Sequence, residues 1–216
     1  HDGFALWPSK FGNYSISKSP YKKDIVKEVV DAYVAQDIDV FLYFSVLEWN
    51  HPDYMSKAPE TEEEKLRFGR FLQYTKNQLM ELLENYPQIK GFWFDGTWDQ
   101  SWIQSYAFTY ALEQEMRAKH PGLIIGSRFR NDEFGKRHFD SNGELLGDYE
   151  QGWERKLPES IDWLAGNDWD AVMTIPPNGW GYMKDWSGLY TKTSDDLLAM
   201  LMHTVSMNGN LVINFG

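Results

Sequence analysis

Ile89 to Phe94 is a short, largely apolar run that stops on Asp95 and Gly96, and stretches with helical spacing lie on either side of it. A run of this length reads as a buried strand. A strand set between helices belongs to a parallel sheet with right-handed crossovers. The same alternation runs along the chain. Ile25, Val26, Val29, Val30, Tyr33 and Val34 give helical spacing over Lys22–Gln36, and Ile38–Val46 reads as a buried strand. Pro59-Glu60-Thr61 opens a long helix to Tyr86, with Thr61 and Glu64 placed to form a capping box. Further on come a helix at Ser101–Lys119, strands at Leu123–Phe129 and Ala171–Ile175, a helix at Ser194–Met207 and a strand at Leu211–Phe215.

Two connections stand out. Arg130–Leu164 is a polar stretch too long for a plain link, so it reads as a functional loop. Pro176–Tyr190 is rich in Pro, Gly and Trp. The chain holds no Gly-x-Gly-x-x-Gly and no phosphate-binding loop, and its chemically interesting residues fall just after strands. That pattern favours an α/β fold of the (β/α)₈-barrel type over a doubly wound sheet. Such a barrel takes about 250 residues and eight strands, so about six strands here make an incomplete one. The 216 residues, 42% hydrophobic, form one domain. The chain starts at His1 without Met and stops within a strand-like run, so it reads as part of something longer.

A net charge of −11 argues against nucleic acid or an anionic membrane surface as partner. No apolar stretch approaches the roughly 18 residues that span a bilayer. Without cysteine there is no disulfide framework and no thiolate chemistry. The aromatic content is high, with 10 Trp, 12 Tyr and 13 Phe, and Trp98, Trp102, Trp153, Trp180 and Trp186 fall in or beside loop-like segments. Loop indoles are costly to hide and useful for binding. Carbohydrate is the partner class that suits an acidic, Trp-rich surface.

A carboxylate where a buried parallel strand runs out is expensive to hold unless it does chemistry. Asp95 is therefore the first catalytic candidate, with Trp93 and Trp98 as stacking surfaces for a sugar ring. The other reading of Asp95 is a cap for the following helix. The remaining positions after strands supply His1 with Asp2, Gly3, Phe4 and Trp7; Tyr43, Ser45, Glu48 and Trp49; Arg128; Glu150 and Glu154; and Trp180 with Tyr182. Carboxylates, an Arg, a His and aromatics are the parts of a glycosidase. Each also has a plainer reading. His1 is a terminal residue, Glu48 could pair with a neighbouring Arg, Arg128 could serve a core carboxylate, and packing is the default for Trp7, Trp49 and Trp180. His51, His120, His138 and His203 show no metal-ligand spacing, so neither a catalytic metal nor a cofactor is expected.

Five segments in order resemble the α-L-fucosidases of glycoside hydrolase family 29. They are His1-Asp2-Gly3-Phe4-Ala5-Leu6-Trp7, Tyr43 to Pro52, Trp93-Phe94-Asp95-Gly96, Asn178-Gly179-Trp180-Gly181-Tyr182 and Gly209 to Gly216. The resemblance implies a retaining hydrolase that removes terminal α-L-fucose from glycans, with Asp95 attacking the anomeric carbon. It implies that His1, Trp7 and Tyr43 bind the sugar, that Trp93 and Trp180 wall the pocket, and that Arg128 lies near the nucleophile, with Arg130 as a substitute. It points to the loop holding Glu150 and Glu154 for the acid/base. It favours Glu154 because Glu154-Arg155-Lys156-Leu157-Pro158 looks like the family's Arg-x-x-Pro run. The adjacent Trp153 is expected to provide the apolar wall that keeps a proton donor protonated. The family's opening strands and C-terminal β-domain lie outside the chain, and the resemblance implies a secreted, periplasmic or lysosomal protein. Two alternatives use the same residues: a catalytically silent carbohydrate-binding fragment, and a related retaining glycosidase of altered sugar specificity.

Overall fold

The computed structural model describes residues 1–176, 179–182, 184 and 191–215. They form six strands and five α-helices, which alternate over the first half of the chain. The first half holds α1 (Ile25–Val34), β1 (Phe41–Ser45), α2 (Glu62–Asn85), β2 (Gly91–Asp95), α3 (Gln100–Ile103) and α4 (Tyr106–Lys119). The second holds β3 (Ile124–Ile125), β4 (Glu150–Glu154), β5 (Trp169–Thr174), α5 (Ser194–Ser206) and β6 (Asn210–Asn214), and here β3, β4 and β5 follow one another without an α-helix between them. The capping box on α2 is formed as read, with Thr61 accepting from Glu64 N–H and the Glu64 side chain accepting from Thr61 N–H. Thr193 and Asp196 make a second capping box at the start of α5.

The strands form two three-stranded parallel sheets, β1-β2-β3 and β4-β5-β6. A parallel bridge between Gly126 and Tyr149 links them, with Asp148 N–H donating to Ile125 O (2.8 Å) and Ser127 N–H to Tyr149 O (2.9 Å). The α/β class holds, but these strands do not close a barrel. β1 and β6 stand at the two outer positions.

Alternation along each strand divides the sheet into two faces. Leu42, Phe44, Phe92 and Phe94 turn to the helices and join the main core with Leu79, Leu82, Leu112 and Met116. Tyr43, Trp93, Asp95, Asp170 and Val172 turn the other way and line a cavity. Phe94 is fully buried while its neighbour Asp95 is at the cavity, so one strand serves both packing and site. Gly96 lets the chain turn off at once, at φ +74°, where an added Cβ would lie 2.5 Å from Leu47 Cβ. Gly96→Ala is therefore expected to destabilise the fold by more than about 1 kcal/mol, read as a lower urea midpoint.

Three elements differ from the sequence expectation. The helix expected over Ser101–Lys119 breaks into α3 and α4, where the Ser105 hydroxyl bonds Ser101 O and competes with the helical ladder. The strand expected over Leu123–Phe129 keeps only two residues, because a turn closed by Phe129 N–H on Gly126 O swings Ser127 and Arg128 out of line. The loop expected over Arg130–Leu164 contains β4, whose polar sequence hides it from a search for apolar periodicity.

Candidate active site

Asp95 is the last residue of β2 and does not cap the next helix, whose N-cap is Asp99. Parallel pairing sets Tyr43 beside Trp93 and Ser45 beside Asp95. From that register the Tyr43 hydroxyl donates to Asp95 Oδ2 at 2.8 Å. Burial, then the charge of Asp95, raises the Tyr43 phenol above its ordinary value, so it remains an O–H donor. Arg128 Nη1 lies 3.3 Å from Asp95 Oδ1, and His1 Nε2 lies 3.7 Å from Oδ2. The His1 ring is held by Ser45 Oγ at 2.6 Å from Nδ1 and by the edge-on indoles of Trp49 and Trp98.

Glu154 ends β4, and a β-bulge decides where it points. Glu150 pairs with Trp169, but Trp153 and Glu154 pair with Ala171 and Val172, so β4 spends one extra residue. Glu154 thereby joins Asp170 and Val172 on the cavity side. Trp153 turns away and packs with Trp169, Ala171 and Leu157 in a second apolar cluster. The expected Trp153 wall beside Glu154 is thus not formed, because neighbouring residues on a strand face opposite ways.

One guanidinium spans both carboxylates. Arg128 reaches Asp95 with Nη1 and Glu154 with Nη2, the latter at 3.2 Å. Its Nε donates to Gln151 O at 2.7 Å, and its Cζ lies 4.9 Å from the Trp93 ring centroid. Arg130, the possible substitute, is held elsewhere by Glu113 and the Tyr110 ring.

Glu150 is occupied otherwise. It is buried, accepts from Ser127 Oγ at 2.7 Å, and lies 2.9 Å from His138 Nδ1. Gln151 Nε2 donates to Phe94 O at 2.7 Å, tying β4 to the residue before Asp95.

His1, Tyr43, Trp93, Asp95, Glu154 and Trp180 line one cavity of about 1160 Å³, together with Trp98, Tyr149 and Asp170. The Arg155 guanidinium lies 6.0 Å from the Trp180 ring centroid. Asn178 and Trp186 lie outside the described residues.

Three substrate-binding candidates sit elsewhere. Trp7 is in the core, where its N–H satisfies buried Glu81 at 2.8 Å. That need for a donor, shared with Ser9 and Lys10 N–H, replaces the expected sugar contact. Trp49 touches His1 but is 71% exposed and lines a neighbouring groove. Glu48 is buried against Gly3, and its partner is the Tyr74 hydroxyl rather than an Arg.

Burial pushes the Glu48 carboxyl up to about 7, against the opposing Tyr74 hydrogen bond. A carboxyl raised in the fold binds its proton more tightly than in the unfolded chain, so its contribution to stability falls as pH rises from about 4.5 to about 7. Glu48→Gln should therefore gain on the wild type by on the order of 2 kcal/mol between pH 4 and pH 8. Urea midpoints at the two pH values measure it, and parallel curves would refute it.

Asp170, Tyr149 and Gln151 also belong to the site's surroundings and are not among the sequence candidates. Asp170 carries a usable signal, a carboxylate beside an apolar strand run, but the expected strand starts at Ala171, two residues after the observed start at Trp169. Among the described residues no group of three or more His, Cys, Asp or Glu could hold a metal ion, and no helix is long and apolar enough to cross a membrane.

Two carboxylates at strand ends, joined by one guanidinium in an indole-walled cavity, are the kind of arrangement that glycoside hydrolases use. Comparison with known proteins narrows this. A family model described as Alpha-L-fucosidase matches residues 1–216, and the chain belongs to that family. It is 32% identical to the plasma α-L-fucosidase of Homo sapiens over 223 residues, covering 100% of this chain and 44% of that protein. The crystal structure of a family 29 α-L-fucosidase from Bacteroides thetaiotaomicron is 50% identical with a TM-score of 0.95, covering 100% of this chain and 49% of that one. A trapped covalent intermediate from the same organism, in complex with 2-fluoro-fucosyl fluoride, is 50% identical with a TM-score of 0.94, covering 99% and 49%. The chain spans about half the length of the relatives it matches.

Proposed function

We propose that this chain carries the catalytic site of a retaining α-L-fucosidase that releases terminal α-L-fucose from oligosaccharides and glycoconjugates. The observation that carries the reading is the fork of Arg128, which holds Asp95 and Glu154 at the mouth of one cavity. A retaining glycosidase needs two carboxyls that close together, one to attack and one to move the proton. Asp95, gripped by Tyr43 and Arg128, attacks the anomeric carbon and forms a fucosyl ester as the glycosidic bond breaks. Glu154 gives its proton to the departing oxygen, then takes one from the water that hydrolyses the ester. His1, Trp93, Trp98 and Trp180 form the walls against which the sugar rests.

The bridge between Gly126 and Tyr149 makes the two sheets one arc of six parallel strands. That arc supports a (β/α)₈ barrel completed by further strands of a longer protein, since parallel sheets bury both faces. The exposure of Phe41, Tyr43, Ile124 and Val212 on the cavity side fits the same reading.

Labelling tests the proposal. Incubation with 2-fluoro-fucosyl fluoride should release the anomeric fluoride and add one 2-deoxy-2-fluoro-fucosyl mass, located by peptide sequencing on Asp95. Hydrolysis of 4-nitrophenyl α-L-fucoside should release the α-anomer first. A label on another residue, or first release of the β-anomer, would overturn the mechanism.

A further inference from the structure

Besides Asp95 and Glu154, the cavity is lined by carboxyls that the chemistry leaves unused, and Asp170 is the buried one among them. Asp170 stands on β5 with 5% of its surface exposed, yet it lines the cavity. Its Oδ2 accepts from Trp93 Nε1 at 2.9 Å, while its Oδ1 is buried with no partner. Leaving a buried carboxyl oxygen unpaired is costly. Burial pushes this carboxyl up to about 7, the Trp93 hydrogen bond and the charge of Arg128 working against it and that of Glu150 with it.

What the bond fixes is the Trp93 ring. The Tyr43 ring stacks on it from the β1 side, with centroids 5.8 Å apart and planes at 19°. Arg128, just after β3, lays its guanidinium over the same ring. Those two side chains are the ones that hold the two oxygens of Asp95. An indole has a single polar atom, so one hydrogen bond is enough to set its rotation.

We infer that Asp170 is a positioning residue that locks the Trp93 indole and, through Tyr43 and Arg128, sets the attack geometry of Asp95. The inference rests on the reading of Asp95 as nucleophile and goes beyond it.

A double-mutant cycle with 4-nitrophenyl α-L-fucoside tests it. Asp170→Leu should lower kcat about 10- to 100-fold, the size expected for losing one hydrogen bond to a carboxylate. Asp170→Asn keeps an acceptor oxygen and should stay within about 3-fold of the wild type. Trp93→Phe removes the same bond from the other side, so adding Asp170→Leu to it should cost less than about 3-fold. An equal loss from Asp170→Leu in both backgrounds overturns the inference. Hydrogen exchange at the Trp93 indole N–H gives a readout independent of turnover. It should be slow in the wild type and Asp170→Asn, and fast in Asp170→Leu. If the full-length protein that contains this chain hydrolyses no fucoside, the proposed function fails, and the exchange result alone decides whether Asp170 locks the ring. Should Asp170→Leu fail to fold, Asp170→Ala takes its place in the cycle and in the exchange measurement, and an equal loss in both backgrounds or a slow indole exchange in Asp170→Ala overturns the inference.

Discussion

Asp95→Gly is expected to lower turnover of aryl α-L-fucosides by about 10⁴-fold or more, roughly 5 kcal/mol of transition-state stabilisation. The size follows from what the carboxylate does in the proposed mechanism: without it no fucosyl ester forms, and Tyr43 and Arg128 point their donors at an empty space. The fold should survive. Asp95 faces the cavity, while the core side of β2 is carried by Phe92 and Phe94, both fully buried. The vacated space beside two donors suits a small anion, so azide should restore part of the activity and yield a fucosyl azide of inverted configuration. Near-normal turnover in the variant, with a correct mass and an unchanged unfolding midpoint, would end the assignment.

Much of the architecture was legible because it rests on patterns that short-range physics enforces. The capping box at Thr61 and the apolar run ending at Asp95 each follow from a local rule, and each is present. Where the reading failed, the cause lay at a distance. Glu150-Gln151-Gly152-Trp153-Glu154 has no strand signature, because it is held by polar contacts with Ser127, His138, Arg128 and Phe94 O, from elsewhere in the chain. Trp7 was drawn to the site by its neighbours in sequence, yet Glu81, more than seventy residues on, claims its N–H. Closure of the sheet is not a local property either, and six strands leave two outer positions.

The bulge in β4 carries the sharpest functional consequence, because it separates two glutamates that a regular strand would turn to the same face. Glu154 faces the cavity and meets Arg128, whereas Glu150 is enclosed by Ser127 and His138, with Gly152 packed so closely that an added Cβ would lie 2.2 Å from its Oε1. Glu154→Gln should therefore show the signature of a lost general acid. Substrates with poor leaving groups, such as fucosyl disaccharides, should slow by about 10²–10⁴-fold. 4-Nitrophenyl α-L-fucoside, whose phenolate departs unaided, should keep a far faster first step and accumulate fucosyl-enzyme, seen as a burst of nitrophenol. Glu150→Gln should behave differently. It weakens the contact with His138 in a buried pocket, so it should lower stability by about 1–3 kcal/mol. Its effect on turnover should be nearly the same for every leaving group, because no proton to the departing oxygen passes through it. Plotting log kcat/KM against leaving-group pKa for both variants gives the decision. A steep slope for Glu154→Gln and a wild-type slope for Glu150→Gln uphold the assignment, and the reverse pattern would exchange the two roles.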